Sequence, residues 1–381
     1  MRSLTLILIG LIAMFPSIVC GGAQVSIKIG ALYNLTGSMS PIDLPGANGA
    51  KLAAKLINKN GGLLGGRKIQ LVTIDTKTDL KLTKKAAEKL VREGVAAALG
   101  YGDTNYVIAA GPVFQKQGIP FVTSGATDPT LPSRVGPELF LAAYGDNGQA
   151  DAMAEYAFTK RGVKSVALLT QTSSDFTKAL AKYFKQHFRQ LGGEIVAEEK
   201  FKEGDKDLSG KVARIKGLNP PAAAIFVSGQ PADVAPTVTP LRKAGITAPI
   251  LSGDGFASDV VKDLGDKRLS DNIYFSTHVF LDSKSPHIVA FVKAYRAEYG
   301  RPPENSFAAL GFDTVNLIAS AISRAGTADP AAVTKALAET KGFKGVTGKI
   351  SYSPGSRVPI KSVCIEGIKD GQYHLVWTWE P

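Results

Sequence analysis

Six segments of the chain place small hydroxyl, amide or carboxyl side chains directly behind apolar runs: NLTGSMSP, YGDTNY, TSGATDP, TQTSSDF, SGQP and SGDGF. Such residues are well suited to holding a polar guest. A hydroxyl beside a helix start, such as Thr104 or Thr127, stands near unpaired backbone N–H groups and partial positive charge, which suit a carboxylate. Asp254 is an acid held between Gly253 and Gly255, where the backbone can approach a ligand closely. Its counterpart would be an ammonium. Tyr101 and Phe176 add aromatic surface, and Gln230 an amide. Each residue alone also has a plain structural reading. Ser and Thr cap helices, Asp-Gly makes turns, Gln230 before Pro231 can open a helix, and the two aromatics can be core. The recurrence of the set in both halves of the chain is what points to binding.

Catalytic chemistry fits poorly. The four histidines, His187, His278, His287 and His374, do not pair at metal spacing. No G-x-S-x-G elbow and no Walker lysine motif occurs, and the glycines of GALYNLTG are too far apart for a dinucleotide loop. An enzyme, a metal and a cofactor are therefore not expected.

For these segments to converge, the elements around them must alternate. VSIKIGALY, RKIQLVTID, VAAALG and IPFVT read as strands. Between them NGAKLAAKLINKNGG, LTKKAAEKLVREG and TNYVIAAGPVFQKQG read as helices, and a further amphipathic helix follows at NGQADAMAEYAFTKRG. The alternation restarts near residue 163 with KSVALLTQ, EIVAEEKF, AAAIFVS, APILS and DNIYFST. Near-continuous apolar strands separated by helices predict parallel sheets covered on both faces. Two runs predict two similar α/β domains, with ligands collecting at the carboxyl ends of the strands. The last third breaks the pattern: long helices, then GKISYS, KSVCIEGI and QYHLVWTW as antiparallel strands. That fits a chain crossing back between two lobes.

Composition agrees. A chain of 381 residues with 44% hydrophobic content can bury two cores. The net charge of +12 comes from lysines at helical spacing among acids, which read as solvated faces. Without an aromatic-interleaved basic cluster, nucleic acid is not expected as a partner. No stretch beyond the N-terminus reads as apolar enough to cross a bilayer. The opening MRSLTLILIGLIAMFPSIVCGGAQ has the charge, apolar core and small-residue end of a secretory signal peptide. Residues 1–23 are set aside on that reading, which places the mature protein in the periplasm. Lipid anchoring at Cys20 is the alternative, but Ser17-Ile18-Val19 makes a poor lipobox. After cleavage only Cys364 remains, so no intramolecular disulfide can form.

The stretch IKIGALYNLTGSMSPIDLPGANGAKLAAKLINKNGGLLGGRKIQLVTIDTKTD resembles the opening of the branched-chain amino-acid-type periplasmic binding proteins. GIPFVTSGATDP, SSDFTKALAKYF and ILSGDGF follow in the family's order. The resemblance covers essentially the whole mature chain. It implies the type I periplasmic fold, α/β with two doubly wound parallel-sheet lobes joined by three crossovers, near Tyr144, Thr277 and Tyr352. Lobe 1 would comprise residues 24–143 and 278–351, and lobe 2 residues 144–277 and 352–381.

The resemblance also implies a monomeric substrate-binding subunit of an ABC importer, with a membrane permease as partner. Thr104, the backbone at Gly125, and Thr127 would hold a ligand carboxylate. The loop after the first strand, Ser38 to Ile42, would contribute the side-chain pocket. Phe176, Gln230 and Asp254 would face them from lobe 2, Asp254 holding an α-ammonium. Asp254 is shorter than the glutamate of leucine-binding members, Phe176 and Gln230 replace tyrosines, and Ile42 replaces an aromatic. The ligand class stays open: an amino acid, an aromatic acid, an amide or a urea. A ligand-sensing receptor module of the same fold is the rival reading.

Overall fold

The computed structural model describes residues 25–381; the expected leader and Cys20 lie outside them. Strand β1 (Ile27–Tyr33) is buried along nearly its whole length, as a strand covered by helices on both sides must be. It joins β2 (Ile69–Asp75), β3 (Ala97–Gly100), β4 (Phe121–Thr123) and β5 (Leu139–Leu141) in a parallel sheet of order β2-β1-β3-β4-β5. The second sheet is built around β6 (Ser165–Gln171), β7 (Glu194–Phe201), β8 (Ala224–Ser228), β9 (Ile250–Ser252) and β10 (Ile273–Thr277). A small hairpin, β11 (Phe343–Gly345) with β12 (Gly348–Ile350), precedes β13 (Val363–Lys369) and β14 (Gln372–Trp379), which run antiparallel at one edge. The order is β14-β13-β10-β9-β8-β6-β7. Both sheets reverse their strand order, between β1 and β3 and between β6 and β8. Those switch points are where open α/β sheets bind ligands.

The chain passes between the sheets after β5, after β10, and between β12 and β13. These passages are fastened to one another. The Tyr352 hydroxyl donates to the Leu141 carbonyl at 2.8 Å. Lys361 Nζ donates to the Ala142 carbonyl at 3.0 Å and to Thr347 Oγ1 at 2.7 Å. Burial holds this amine down to about 8, against the opposing pull of Asp313. His278, just after β10, stacks on Tyr144 with ring centroids 4.3 Å apart.

Two elements differ from the sequence reading. The first helix begins at Ser40 rather than near Asn48 and runs to Lys59, through Pro41 and Pro45. Proline lacks the N–H that would bond four residues back. The carbonyl that Pro45 cannot reach, on Pro41, accepts from Asn305 Nδ2 at 2.9 Å instead. Helix Ser306–Ala325 is long and apolar enough to cross a membrane, contrary to the expectation of no such stretch, but most of it is buried. Its apolar residues pack with those of β1, β3 and the first helix.

These two helices touch through glycines. A Cβ on Gly49 would run into the Ala308 carbonyl, and one on Gly311 into that of Gly46. Gly311→Ala is expected to lower stability by about 1–3 kcal/mol, the usual cost of overpacking. An unchanged urea midpoint would show that the helices separate freely.

Candidate ligand-binding cleft

The loops after β1, β3 and β4 face those after β6, β8 and β9, and they meet. Asp103 Oδ2 accepts from Ser174 Oγ at 3.1 Å and from Gln230 Nε2 at 2.5 Å. Arg134 bridges Asp128 and Asp175 at 3.1 and 2.9 Å. The Asp146 N–H donates to the Thr127 carbonyl at 2.6 Å. The two halves are therefore closed on each other.

On the first wall, Asp103 caps helix Thr104–Lys116 by accepting from the Asn105 N–H. Burial raises the pKa of this carboxyl. Thr104, next in line, is fully buried, and its hydroxyl makes no hydrogen bond within the chain. Buried polar groups nearly always have a partner, so this hydroxyl is the most conspicuous on the wall. Asp43 fastens the wall from behind, accepting from the N–H groups of Asn34 at 2.9 Å and Gly102 at 2.7 Å. Burial pushes its carboxyl up to about 7.

Gly125 donates its N–H to the Tyr101 carbonyl at 3.0 Å. A side chain on Gly125 would strike Phe307, and one on Gly102 would strike Ile42. Ile42 and Phe307 thus form the apolar floor beneath the turn. Tyr101 corrects the sequence reading. Its side chain is fully buried inside the lobe, with the hydroxyl 3.1 Å from Thr76 Oγ1 and 3.4 Å from Thr83 Oγ1. Only its carbonyl serves the turn.

On the second wall, Ser174 caps helix Asp175–Gln190 by accepting from the Phe176 N–H. Phe176 is buried, and its ring edge lies against Gly255. The glycines around Asp254 also differ from expectation. A Cβ on Gly255 would meet the Gly229 carbonyl, and one on Gly253 would meet Leu180. They admit the chain's own packing rather than a guest.

Asp254 is buried and doubly held. Its Oδ1 accepts from Gln149 Nε2 at 3.0 Å, and its Oδ2 lies 3.0 Å from His278 Nε2. Gln149 is a hub that the sequence reading missed. Its amide nitrogen also donates to Asp146 at 2.9 Å and reaches Thr127 Oγ1 at 3.5 Å. Its oxygen accepts from the Asp254 N–H at 3.0 Å and from Ser276 Oγ at 2.6 Å. Burial, reinforced by Asp254, pushes the Asp146 carboxyl well up. Burial pulls His278 down, against the raising effect of Asp254. The available signals were the i, i+3 spacing of Asp146 and Gln149 among alanines, and a histidine directly after β10.

Seven of the eight expected residues, all but the Tyr101 side chain, thus gather where the two halves meet. A cavity of about 270 Å³ lies to the side, between Ala257, Thr277 and Asn305, and contains none of the eight. Among the described residues no group of three His, Cys, Asp or Glu is placed to hold a metal.

The sequence matches the periplasmic binding protein family over residues 26–372. It is 29% identical over 332 residues to Leu/Ile/Val-binding protein homolog 3 of Brucella melitensis, covering 87% of this chain and 88% of that protein. The structure is similar to the branched-chain amino acid transporter substrate-binding protein LivJ of Streptococcus pneumoniae, solved with isoleucine. The TM-score is 0.87 and the identity 31%, covering 93% of this chain and all of that one, 100%. It also shares its fold with a solute-binding protein of Rhodopseudomonas palustris solved with 3,4-dihydroxybenzoic acid. There the TM-score is 0.82 and the identity 22%, covering 93% and 97% of the two chains. These relatives are solute-binding proteins rather than enzymes, which bears out the reading against catalysis. The chain belongs to the periplasmic binding protein family, with the type I fold of its branched-chain amino-acid type.

Proposed function

We propose that this substrate-binding protein captures a small amino acid or related carboxylate in its cleft, in the periplasm, and delivers it to the permease of an ABC importer. One observation carries the reading. A single amide nitrogen, Gln149 Nε2, lies within reach of both Thr127 Oγ1 and Asp254 Oδ1. A hydroxyl wall suited to a carboxylate and a buried acid suited to an ammonium are thus as close as the two poles of an α-amino acid. The helix start at Thr104 adds its N–H groups to the anion side, and the Gly125 carbonyl remains for the cation side. The isoleucine bound by the Streptococcus protein has those two poles.

A second reading has its own support. Both oxygens of Asp254 already face donors of this chain, and the Rhodopseudomonas protein holds an acid with no ammonium. A carboxylate with an uncharged far end would leave the Asp254 contacts undisturbed.

Thermal shifts of the mature protein with L-isoleucine, L-leucine and 4-hydroxybenzoate separate the readings. A ligand of the native state raises the melting temperature in proportion to the logarithm of its concentration. For whichever acid binds, Thr104→Val is expected to weaken affinity about tenfold or more. A hydrogen bond to a charged group contributes about 1.5–3 kcal/mol. Unchanged affinity in that variant would remove the anion wall from the proposal.

A further inference from the structure

Asp254 is the cleft acid, and one group of this chain that can carry positive charge touches it. His278 Nε2 stands 3.0 Å from Oδ2. The ring is held by stacking on Tyr144 and by an edge contact with Phe307, at a centroid distance of 5.4 Å. Its Nδ1 makes no hydrogen bond within the chain. Other titratable groups lie around it, among them Cys364, His287, Lys344 and Lys349 along a neighbouring cavity. Burial, and after it the charge of Asp254, raises the pKa of the carboxyl of Asp146, on the helix that carries Gln149. The Tyr144 hydroxyl is kept protonated by burial. Lys361 repels a charged ring, but its own amine is bonded to Ala142 and Thr347. Phe307 brings no charge.

A buried carboxylate is stable only beside a compensating positive charge and good hydrogen bonds. We infer that His278 is a specificity-determining residue: its proton and the ammonium of a ligand compete for Asp254. This rests on the cleft being the binding site, as proposed above. An α-amino acid brings its own cation, so it binds with His278 neutral and displaces the imidazole proton. A carboxylate with an uncharged far end leaves Asp254 to His278, and the ring binds it in the protonated form. The closed structure, in which burial lowers the ring's pKa, fits the first state.

Opposite pH dependences follow. Affinity for an amino acid falls on acidification through the histidine range, and affinity for a neutral-tailed carboxylate rises. The ligands' own carboxyl groups titrate below that range. The experiment is calorimetry of the mature protein between pH 5.5 and 7.5, with L-isoleucine and 4-hydroxybenzoate as probes. It is run on the wild type and on His278→Gln, which keeps a donor but cannot titrate. The wild type is expected to change affinity by about fivefold or more for the probe it binds, in the direction of that probe's class. One pKa unit of coupling corresponds to about tenfold. The variant is expected to be flat. Binding with no pH slope in the wild type, or the same slope in His278→Gln, overturns the inference while leaving the binding cleft intact.

A ligand-independent measurement covers the case in which neither probe binds. The His278 ring is titrated by NMR in the wild type and in Asp254→Asn. Loss of the carboxylate charge is expected to lower the ring's pKa by about one unit or more. An unchanged value overturns the inference even if the ligand is still unknown.

Discussion

Asp254→Ala is expected to weaken amino-acid binding by about 30-fold to several thousand-fold, the equivalent of the roughly 2–5 kcal/mol lost when one partner of a desolvated charge pair is truncated. The size follows from burial. Asp254 is 2% exposed, so water cannot replace the lost carboxylate. The ligand's ammonium would then face the amide of Gln149, the ring of His278 and Asp146, whose charged form burial disfavours. Calorimetry with L-isoleucine measures the effect, and circular dichroism checks that the fold survives. Unchanged affinity for the amino acid would refute the role of Asp254. A protein that binds only a neutral-tailed acid would respond differently. Removing a negative charge from the cleft would leave that affinity equal or raise it, because the guest brings no cation to be stranded.

Gln149→Leu is expected to lower both stability and affinity. The leucine fills a similar volume but leaves the Asp254 N–H and the Ser276 hydroxyl without acceptors. It also takes a donor from each of two buried carboxyls. An unsatisfied buried polar group costs about 1–3 kcal/mol, so two or more stranded groups bring the loss to about 3 kcal/mol or beyond. Urea denaturation of the ligand-free protein reads this directly. In the same variant Asp254 loses the contact that fixes its position opposite Thr127, so ligand affinity falls with stability. A variant with wild-type midpoint and wild-type affinity would show that the hub is incidental. The comparison with Asp254→Ala is informative because the two act differently: one removes a charge, the other releases it from its mount.

The strand ends were the legible part of this protein. Thr104, Thr127, Gln230 and Asp254 stand where an alternating α/β chain puts its loops, and the pattern alone sends those loops to one side of each sheet. The failures have identifiable physical causes. β5, only Leu139–Leu141, is too short to show a period. The start of the first helix was hidden by Pro41 and Pro45, because the Asn305 side chain that replaces the missing bond lies far away in sequence. Tyr101 follows β3 as a cleft residue would, but its ring turns inward to Thr76 and Thr83, a choice made by tertiary packing rather than by sequence position. Gln149 and His278 are the most instructive omissions. Neither stands in one of the six strand-end segments, and each acquires its role only when the second sheet brings Asp254 beside it. A search for strand-end residues finds the walls of a cleft and misses the groups that hold the walls in register.

The three passages between the sheets are bolted together by Tyr352, Lys361 and the Tyr144–His278 stack. A hinge gathered into one strap leaves two stiff halves a single soft coordinate, a swing about that strap. A ligand gripped by both halves would leave no faster than that swing opens them.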